Sequence, residues 1–204
     1  MYKKPIIIFE GIEASGKSTN IKIISTYLKK INRDFVKIRE PGGSKFSEKI
    51  RNIVLNKRSK LNIKTDLLLM LASRAENIDK ILKKNFKKKI ILIDRFSDST
   101  LAYQHFGMGL NLKLISSLNK YIVGNFKPTL TYLSIVKKKD MKLRLKKRFH
   151  KNKYDNFNYN FYDKVQKGYL KLSKNKRNYI ILNSSIYGIN DISQKIISSL
   201  KKII

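Results

Sequence analysis

The chain has 204 residues, enough to bury the core of one domain, and it contains no cysteine, which excludes disulfides and thiolate metal sites. Its two histidines, His105 and His150, are too few for a zinc centre, and each fits a surface or packing position better than a catalytic one. No apolar run approaches the roughly 18 residues of a membrane span. The first strand begins within about five residues of Met1, which leaves no room for a signal peptide. We therefore expect a cytoplasmic protein with one domain over residues 1–204.

The net charge of +32 comes from 46 Lys and Arg against 14 Asp and Glu. A strongly basic chain favours binding to nucleic acid or another polyanion. Only nine of the basic residues are arginine, however, and the lysines are spread along the whole chain beside abundant Ile and Asn. That pattern is typical of drift toward A- and T-rich codons, so both interpretations of the charge stay open. The arginines are the more informative cations, because such drift would remove them.

The apolar run at residues 6–9 predicts a buried strand that breaks into a glycine-framed turn. Gly11 to Ser18 fits the spacing G-x-x-x-x-G-K-[ST], in which backbone N–H groups cradle phosphate oxygens. Lys17 would then reach the outer phosphates, and the Ser18 hydroxyl would bind Mg²⁺. An amphipathic helix is predicted to follow over residues 19–28, although a strand, turn and helix with no ligand would show the same pattern. The predicted ATP-binding residues are Gly11, Ile12, Glu13, Ala14, Ser15, Gly16, Lys17, Ser18 and Thr19.

The next elements alternate between strands and helices. A strand at 35–39 ends in the breaker Glu40-Pro41-Gly42-Gly43, and helices are predicted at 47–55 and 65–82 with a joint at 62–64. A buried strand at 90–93 runs into Asp94, where an acid beside the phosphate loop would hold Mg²⁺ in the Walker B manner. The alternative for Asp94 is a cap on the next helix. Further strands are predicted at 130–136 and 179–182.

This alternation implies right-handed crossovers and a parallel sheet covered on both faces. The sequence therefore predicts an α/β fold of the P-loop NTPase type, a three-layer sandwich with a five-stranded parallel sheet, helices on both faces and a lid segment.

The last third of the chain carries two apolar stripes at helical spacing. The first comprises Phe157, Phe161, Val165, Tyr169 and Leu172, and it predicts a buried helix face rather than a platform for stacking bases. The second, over residues 192–204, predicts an outer helix of the sheet, with a membrane-surface helix as the alternative. Residues 152–155 match the N-K-x-D string of GTPases, but no buried strand precedes them, so we reject a guanine site there.

Three blocks in order, 9–19, Arg39-Glu40-Pro41-Gly42-Gly43 and the D-R-x-x-x-S-x-x-A-Y-Q string at 94–104, resemble the thymidylate kinase family. These P-loop enzymes transfer the γ-phosphoryl group of ATP to dTMP, and the resemblance covers nearly the whole chain. It implies ATP and dTMP as substrates, Mg²⁺ as cofactor, dTDP as product for dTTP synthesis, and a homodimer formed through the helices of residues 47–82 and the helix after Arg95. The alternatives are another P-loop kinase that takes dUMP or a nucleoside, or a non-catalytic basic protein that binds polyanions.

The resemblance also implies an acceptor site. Glu13, Arg39 and Glu40 would lie near the phosphate and sugar of dTMP, and Arg51 near the acceptor nucleotide. The remaining residues carried over to dTMP are Met70 stacked on thymine in place of the usual phenylalanine, Arg74, Thr100 and Gln104 near the base, Tyr103 beneath the deoxyribose, and Arg95 between the donor and acceptor phosphates.

A lid over about residues 140–158 follows from the same resemblance. Ala14 leaves the phosphate loop without a basic residue, and the branch of the family with that feature supplies the cation from the lid. Arg144 and Arg148 are the candidates, ahead of Lys151 and Lys153, and the alternative to a lid is a basic helix that faces solvent. Asn156 follows Asp155 where the family typically has an arginine. The predicted catalytic residues are Lys17, Asp94, Arg95, Arg144 and Arg148, with Ser18 and Asp94 at the metal.

Overall fold

Five parallel strands form one sheet in the order β2-β3-β1-β4-β5 in the computed structural model, which describes residues 4–149 and 151–204. The strands are β1 (Ile6–Gly11), β2 (Phe35–Arg39), β3 (Ile90–Asp94), β4 (Leu130–Ile135) and β5 (Tyr179–Asn183). The helices are α1 (Lys17–Lys30), α2 (Lys45–Leu55), α3 (Ile63–Asn77), α4 (Lys83–Asn85), α5 (Ser97–Thr100), α6 (Leu112–Val123), α7 (Lys138–Lys146), α8 (Tyr159–Ser173) and α9 (Ile189–Lys201). The five predicted strands and their parallel arrangement are confirmed.

Alternation along β1 divides its side chains between the two faces of the sheet. Ile7 and Phe9 belong to a core with α1 and α9, whereas Ile6 and Ile8 belong to a second core on the opposite face. Because neighbouring side chains of a strand point to opposite faces, a fully buried strand such as β1 requires helices on both sides. The result is the three-layer α/β sandwich of the P-loop NTPase type.

The C-terminal helix packs against the sheet rather than standing apart. Ile192, Ile196 and Leu200 of α9 are buried in the same core as Ile24 and Leu28 of α1. The outer-helix interpretation of this stripe is therefore confirmed. Within the described ranges, no helix has the length and apolar character needed to cross a membrane.

Two helical predictions need correction. The helix expected over 65–82 begins at Ile63, because Asn62 caps it, and it changes at Ile78–Leu82 into a π-helical turn. Phe157 precedes α8 instead of lying on it, although its ring stacks on Phe161 at 4.0 Å and joins the same core. Apolar spacing locates a buried stripe well, but it does not detect the capping residue or the extra residue of a π-helical turn.

Two short turns bear on the site. The chain continues from α5 into a π-helix at Leu101–Gly107, and a 3₁₀ turn at Lys153–Asp155 follows α7. Asn152 and Asp155 of the N-K-x-D string form the capping box of that turn, so these two side chains stabilise local structure. His105 bonds through Nδ1 to the Leu110 carbonyl, while His150 lies outside the described residues.

Candidate active site

A cavity of about 650 Å³ opens where β1, β2 and β3 end. Carboxyl ends of parallel strands are where open α/β sheets bind ligands. All of the predicted site residues line this cavity except Gly11, Ile12 and Ser15, which are buried. The structure thus brings residues from five separate parts of the sequence to one place.

The turn from Gly11 to Ser18 wraps the start of α1. Gly11 has φ 138°, and a Cβ atom there would lie 2.2 Å from the Ser134 carbonyl oxygen, so only glycine fits. Gly16, with φ 101°, is the N-cap of α1. The first N–H groups of α1 have no partner within the helix, and they face the cavity together with the positive end of its dipole. This arrangement suits an anion with several phosphate oxygens.

Lys17 lies at the base of this turn. Its Nζ donates to the carbonyl oxygens of Gly11 at 2.9 Å and Ile12 at 2.8 Å. Burial, reinforced by the positive charge of Arg95, lowers the pKa of Lys17 to about 8. An anion in the cavity would favour the protonated form and would compete with these carbonyls for the ammonium group.

Asp94 ends β3 beside Phe9 of β1. Its Oδ1 atom is buried and has no hydrogen-bond partner among the described residues, a costly state for a carboxylate. The alternative of a helix cap is wrong, because the N-cap of α5 is Phe96. Ser18, with its hydroxyl oxygen, lines the same cavity.

Arg95 follows Asp94 with a left-handed backbone, φ 68°. Its guanidinium donates to Glu13 at 2.8 Å and to the Gly11 carbonyl at 2.9 Å, and it lies 4.9 Å from the ring centre of Tyr103. The Tyr103 hydroxyl donates to the other oxygen of Glu13 at 2.6 Å. Glu13 therefore links the arginine to the tyrosine ring at the centre of the cavity.

Arg74 forms the buried end of the cavity. Its Nε donates to Glu40 at 2.7 Å, and Nη1 donates to Thr100 at 2.8 Å and to Asn119 at 2.6 Å. Nη2 donates to the Phe96 carbonyl at 2.8 Å. A guanidinium has five N–H groups, so these bonds leave one for a ligand. Arg74 is only 2% exposed, and its orientation is therefore set by the protein.

Glu40 shares this buried end. Burial raises the pKa of its carboxyl group, although the charge of Arg74 opposes the shift. One oxygen bonds Arg74, and the other has no partner within residues 4–149 and 151–204. Gln104, 2% exposed, bonds Tyr154 weakly at 3.4 Å. Together these groups offer donors and acceptors to a planar polar ligand.

Three more predicted residues surround the cavity between its two ends. Arg39 pairs with Glu48 at 2.8 Å on the surface, and Arg51 donates to the Pro41 carbonyl at 2.6 Å. Met70 of α3 supplies apolar surface beside them. This side of the cavity is cationic and partly open.

Two arginines come from α7 and from the turn that follows it. Arg144 donates to the Ala14 carbonyl at 3.0 Å and to the Ser184 carbonyl at 2.9 Å, so it spans the phosphate loop and the loop after β5. Arg148 pairs with Asp155. Lys153 instead pairs with Asp66 at 3.3 Å, and neither it nor Lys151 is among the residues that line the cavity. The structure thus distinguishes the two arginines from the two lysines.

Several cavity residues were missed by the sequence analysis. They are Asn20, Ile23, Leu55, Asn152, Tyr154, Tyr187, Ile189 and Ile192. Asn119, which holds Arg74, was missed as well. Asn152 and Tyr154 belong to the N-K-x-D string that was rejected as a guanine site, and none of the others belongs to a motif. Ser184, in the loop after β5, lines the cavity as well.

The residues around the cavity could supply only a few of the ligands of a metal ion. In the parts of the chain that the structure describes, no three His, Cys, Asp or Glu side chains cluster as a metal centre would need. Mg²⁺ usually takes one or two protein oxygens and completes its shell with water and phosphate. The free Oδ1 of Asp94 and the Ser18 hydroxyl match this coordination preference.

Comparison with known proteins gives one consistent result. The family model described as thymidylate kinase matches residues 9–196. A thymidylate kinase from Kosmotoga olearia is 35% identical over 192 residues, 94% of this chain and 92% of that protein, and one from Wolbachia sp. subsp. Brugia malayi is 38% identical over 173 residues, 83% and 82%. The crystal structure of thymidylate kinase from Ehrlichia chaffeensis superposes with a TM-score of 0.78 at 31% identity, over 98% of this chain and 99% of that one.

Proposed function

Because the chain belongs to the thymidylate kinase family, we infer that it transfers the γ-phosphoryl group of ATP to dTMP, and we propose a division of this work among the residues of the cavity. The observation that carries the proposal is the two-ended cavity. A phosphate loop forms one end, a buried polar pocket forms the other, and Lys17, Asp94 and Arg95 lie between them.

ATP occupies the end formed by the phosphate loop. The N–H groups of the loop and of the first turn of α1 bind its phosphates, and Lys17 leaves its two carbonyl partners to bind the outer phosphates. Ser18 and Asp94 would hold Mg²⁺, which would neutralise part of the phosphate charge. Asp94 supports this assignment because its buried Oδ1 has no partner in the described chain.

The acceptor dTMP occupies the other end. Arg39 and Arg51 lie toward its phosphate, Glu13 and Tyr103 meet the deoxyribose, and Met70 packs on thymine. Arg74, Thr100 and Gln104 bind the polar edge of the base, with Glu40 holding Arg74. These assignments are supported by the burial of Arg74, Thr100 and Gln104, since a pocket built of fixed polar groups rejects ligands that leave those groups unpaired.

The transfer itself needs little from the protein beyond alignment and positive charge. The second pKa of a phosphate monoester lies near 6, so dTMP is largely a dianion at neutral pH and needs no general base. Lys17 and Arg95 stabilise the charge that spreads over the transferred group. Arg95 suits this role because it lies between the two ends of the cavity.

Residues 140–158 act as a lid within one P-loop kinase domain over residues 1–204. Arg144 and Arg148 arrive on this segment and add positive charge over ATP, and closure excludes water and limits wasteful hydrolysis. The bonds from Arg144 to Ala14 and Ser184 support this role because they bridge two loops of the donor end.

We further propose a cytoplasmic homodimer. Exposed apolar side chains on α2, α3 and α6, namely Phe46, Ile53, Leu68 and Leu114, support a subunit interface on that side. The cytoplasm supplies both nucleotides and suits a chain without cysteine.

A panel of acceptors tests the proposal. ADP release would be measured with ATP and Mg²⁺ on dTMP, dUMP, dCMP, dGMP and thymidine, with the variant Lys17→Ala as the inactive control. We expect the highest kcat/KM with dTMP and no rate above background in the control. A higher kcat/KM with another acceptor would overturn the base assignment, and activity in the control would overturn the role of the phosphate loop.

A further inference from the structure

Glu10 is a wholly buried carboxyl group that none of the roles above uses. It belongs to β1, immediately before Gly11, and is 0% exposed. Its Oε1 accepts the backbone N–H groups of Phe96 at 2.9 Å and Ser99 at 3.3 Å. Its Oε2 accepts the hydroxyl groups of Ser99 and, at 3.1 Å, Tyr169. All four partners lie around the turn that carries Arg95.

That turn is in a conformation that needs support. Arg95 has φ 68°, a region that is unfavourable for a residue other than glycine and persists only where the surroundings determine it. The helix that follows has Phe96 as its N-cap, a side chain that cannot accept a hydrogen bond. Glu10 supplies the missing acceptor from another strand, because it takes the N–H groups of Phe96 and Ser99.

Glu10 also reaches the guanidinium of Arg95. Tyr169 bonds Glu10 through its hydroxyl, and the same hydroxyl accepts from Nη1 of Arg95 at 3.3 Å. The other partner of Nη1 is the carbonyl of Gly11, the residue next to Glu10. Glu10 therefore supports both the backbone and the guanidinium of Arg95 without lining the cavity, alongside Glu13, which the guanidinium contacts directly at 2.8 Å.

We propose that Glu10 is the positioning residue of Arg95, acting on its backbone through Phe96 and Ser99 and on its guanidinium through Tyr169. The inference rests on the proposed role of Arg95 between the two phosphates. Loss of the Tyr169 hydroxyl removes one of the three hydrogen-bond partners that the guanidinium has in the described chain and lets its position shift, and small misplacements of such groups lower kcat severely.

The first experiment compares two buried tyrosines. Tyr169→Phe removes the link to Arg95, whereas Tyr132→Phe removes a hydroxyl whose partners among the described residues are Ile196 and Ser199, on the opposite side of the sheet. Both rings are 0% exposed, so both variants lose buried hydrogen bonds. We expect kcat with saturating dTMP and ATP to fall on the order of tenfold in Tyr169→Phe and to stay within about twofold in Tyr132→Phe. Equal kcat values in the two variants would overturn the proposal.

The second experiment is a double-mutant cycle with Arg95→Ala. If Tyr169 acts through Arg95, Tyr169→Phe lowers kcat no further once Arg95 is absent. Independent, multiplicative losses would overturn the proposal. If Arg95→Ala alone keeps normal kcat, the proposed function of Arg95 fails instead, so the two failures are distinguishable.

A third comparison uses Glu10 itself. Gln at this position can still accept both N–H groups and can donate to both hydroxyls, so Glu10→Gln is expected to keep kcat within about threefold, while Glu10→Ala loses about tenfold or more. A folded Glu10→Ala variant with unchanged kcat would overturn the proposal. Should that variant not fold, the comparison of the two tyrosines decides the matter.

Discussion

The two ends of the cavity are built in different ways. At the acceptor end, Arg74, Thr100 and Gln104 are at most 3% exposed, and Arg74 alone bonds to four other residues. At the donor end, the arginines come from α7 and the turn after it. Met141 is the one buried residue of α7. The Arg148 side chain is 45% exposed. The acceptor pocket is therefore held in shape by buried polar contacts, whereas the contacts of Arg144 at the donor end are exposed.

This difference separates stability from activity. Removing a group from the acceptor end leaves buried partners unsatisfied, so it lowers the free energy of unfolding as well as the affinity for dTMP. Hydrogen bonds of exposed side chains contribute little to stability, and those of Arg144 are exposed. Substitution of Arg144 should therefore change the rate and leave stability alone.

The largest effect is expected at the junction of the two ends. Lys17→Ala removes the cation that we propose to bind the transferred group, and we expect kcat to fall by at least about 10³-fold. Stability should not fall in parallel, because burial already disfavours the charge on this side chain. Steady-state rates and thermal unfolding of the same preparation check both parts, and a parallel loss of Tm would show that Lys17 mainly supports the fold.

Arg74→Ala should have the next largest effect, and it tests whether the acceptor pocket is preformed. It leaves Glu40 buried without its partner, which costs about 3–5 kcal/mol of unfolding free energy, and it raises KM for dTMP. Arg39→Ala is the matched control, since its pair with Glu48 is 56% and 37% exposed and is worth at most about 1 kcal/mol. Urea denaturation measures both. Equal losses in the two variants would contradict a preformed acceptor pocket.

The pH dependence of stability gives a third test, which concerns the buried carboxyl group of Glu10. Burial, and then the charge of Asp98, raise the pKa of Glu10 from 4.5 to about 7. Between these values the folded state binds the proton and the unfolded state does not, so this group lowers the free energy of unfolding as pH rises from 5 to 7. The loss is on the order of 1–3 kcal/mol, and it should disappear in Glu10→Gln. Matching pH profiles for the two proteins would show that Glu10 titrates normally.

The sequence reveals the residues whose roles depend on local order. Gly11 to Ser18 can be read directly, because the loop, the strand before it and the helix after it are contiguous. Asp94 and Arg95 can be found for the same reason, since a charged pair directly after a buried apolar run marks the edge of the sheet where ligands bind. The five strands follow from apolar runs bounded by breakers.

Contacts between distant residues could not be read in this way. Asn119 lies 45 positions from Arg74, and nothing in its own helix distinguishes it from the other asparagines of this Asn-rich chain. Tyr154 and Asp66 meet across 88 positions. Such pairs depend on how helices cross the sheet, which the hydrophobic period does not encode. The π-helix at Leu101–Gly107 was missed because one inserted residue hardly changes the apolar pattern.

Substitution of Arg144 is expected to affect rate and stability in the opposite proportion to Arg74→Ala. Arg144→Ala should lower kcat by roughly 10- to 100-fold and raise KM for ATP, because a cation over the phosphates is lost. Tm should change by less than about 1 °C, since exposed groups contribute little stability. Lys142→Ala is the control from the same helix, as Lys142 is exposed and does not line the cavity. A drop in Tm comparable to that of Arg74→Ala would remove the contrast between the two ends.

The smallest effect is expected where α8 supports the acceptor end from behind. Gly168 faces Phe106 of the π-helix, and a Cβ atom there would lie 2.6 Å from the ring. Gly168→Ala should cost about 1–3 kcal/mol of unfolding free energy, because neither element can move freely. The resulting shift of Tyr103 and Gln104 should raise KM for dTMP severalfold and leave KM for ATP unchanged.

Gly188→Ala is the matched control for this change. Its added Cβ would meet only Asp191 at 3.5 Å, an ordinary contact distance, and its φ is −67°, which alanine adopts without strain. Both KM values should stay unchanged in that variant. If Gly168→Ala instead raised KM for ATP as much as KM for dTMP, the strain introduced in α8 would also affect the donor end. The two ends of the cavity would then not be structurally independent.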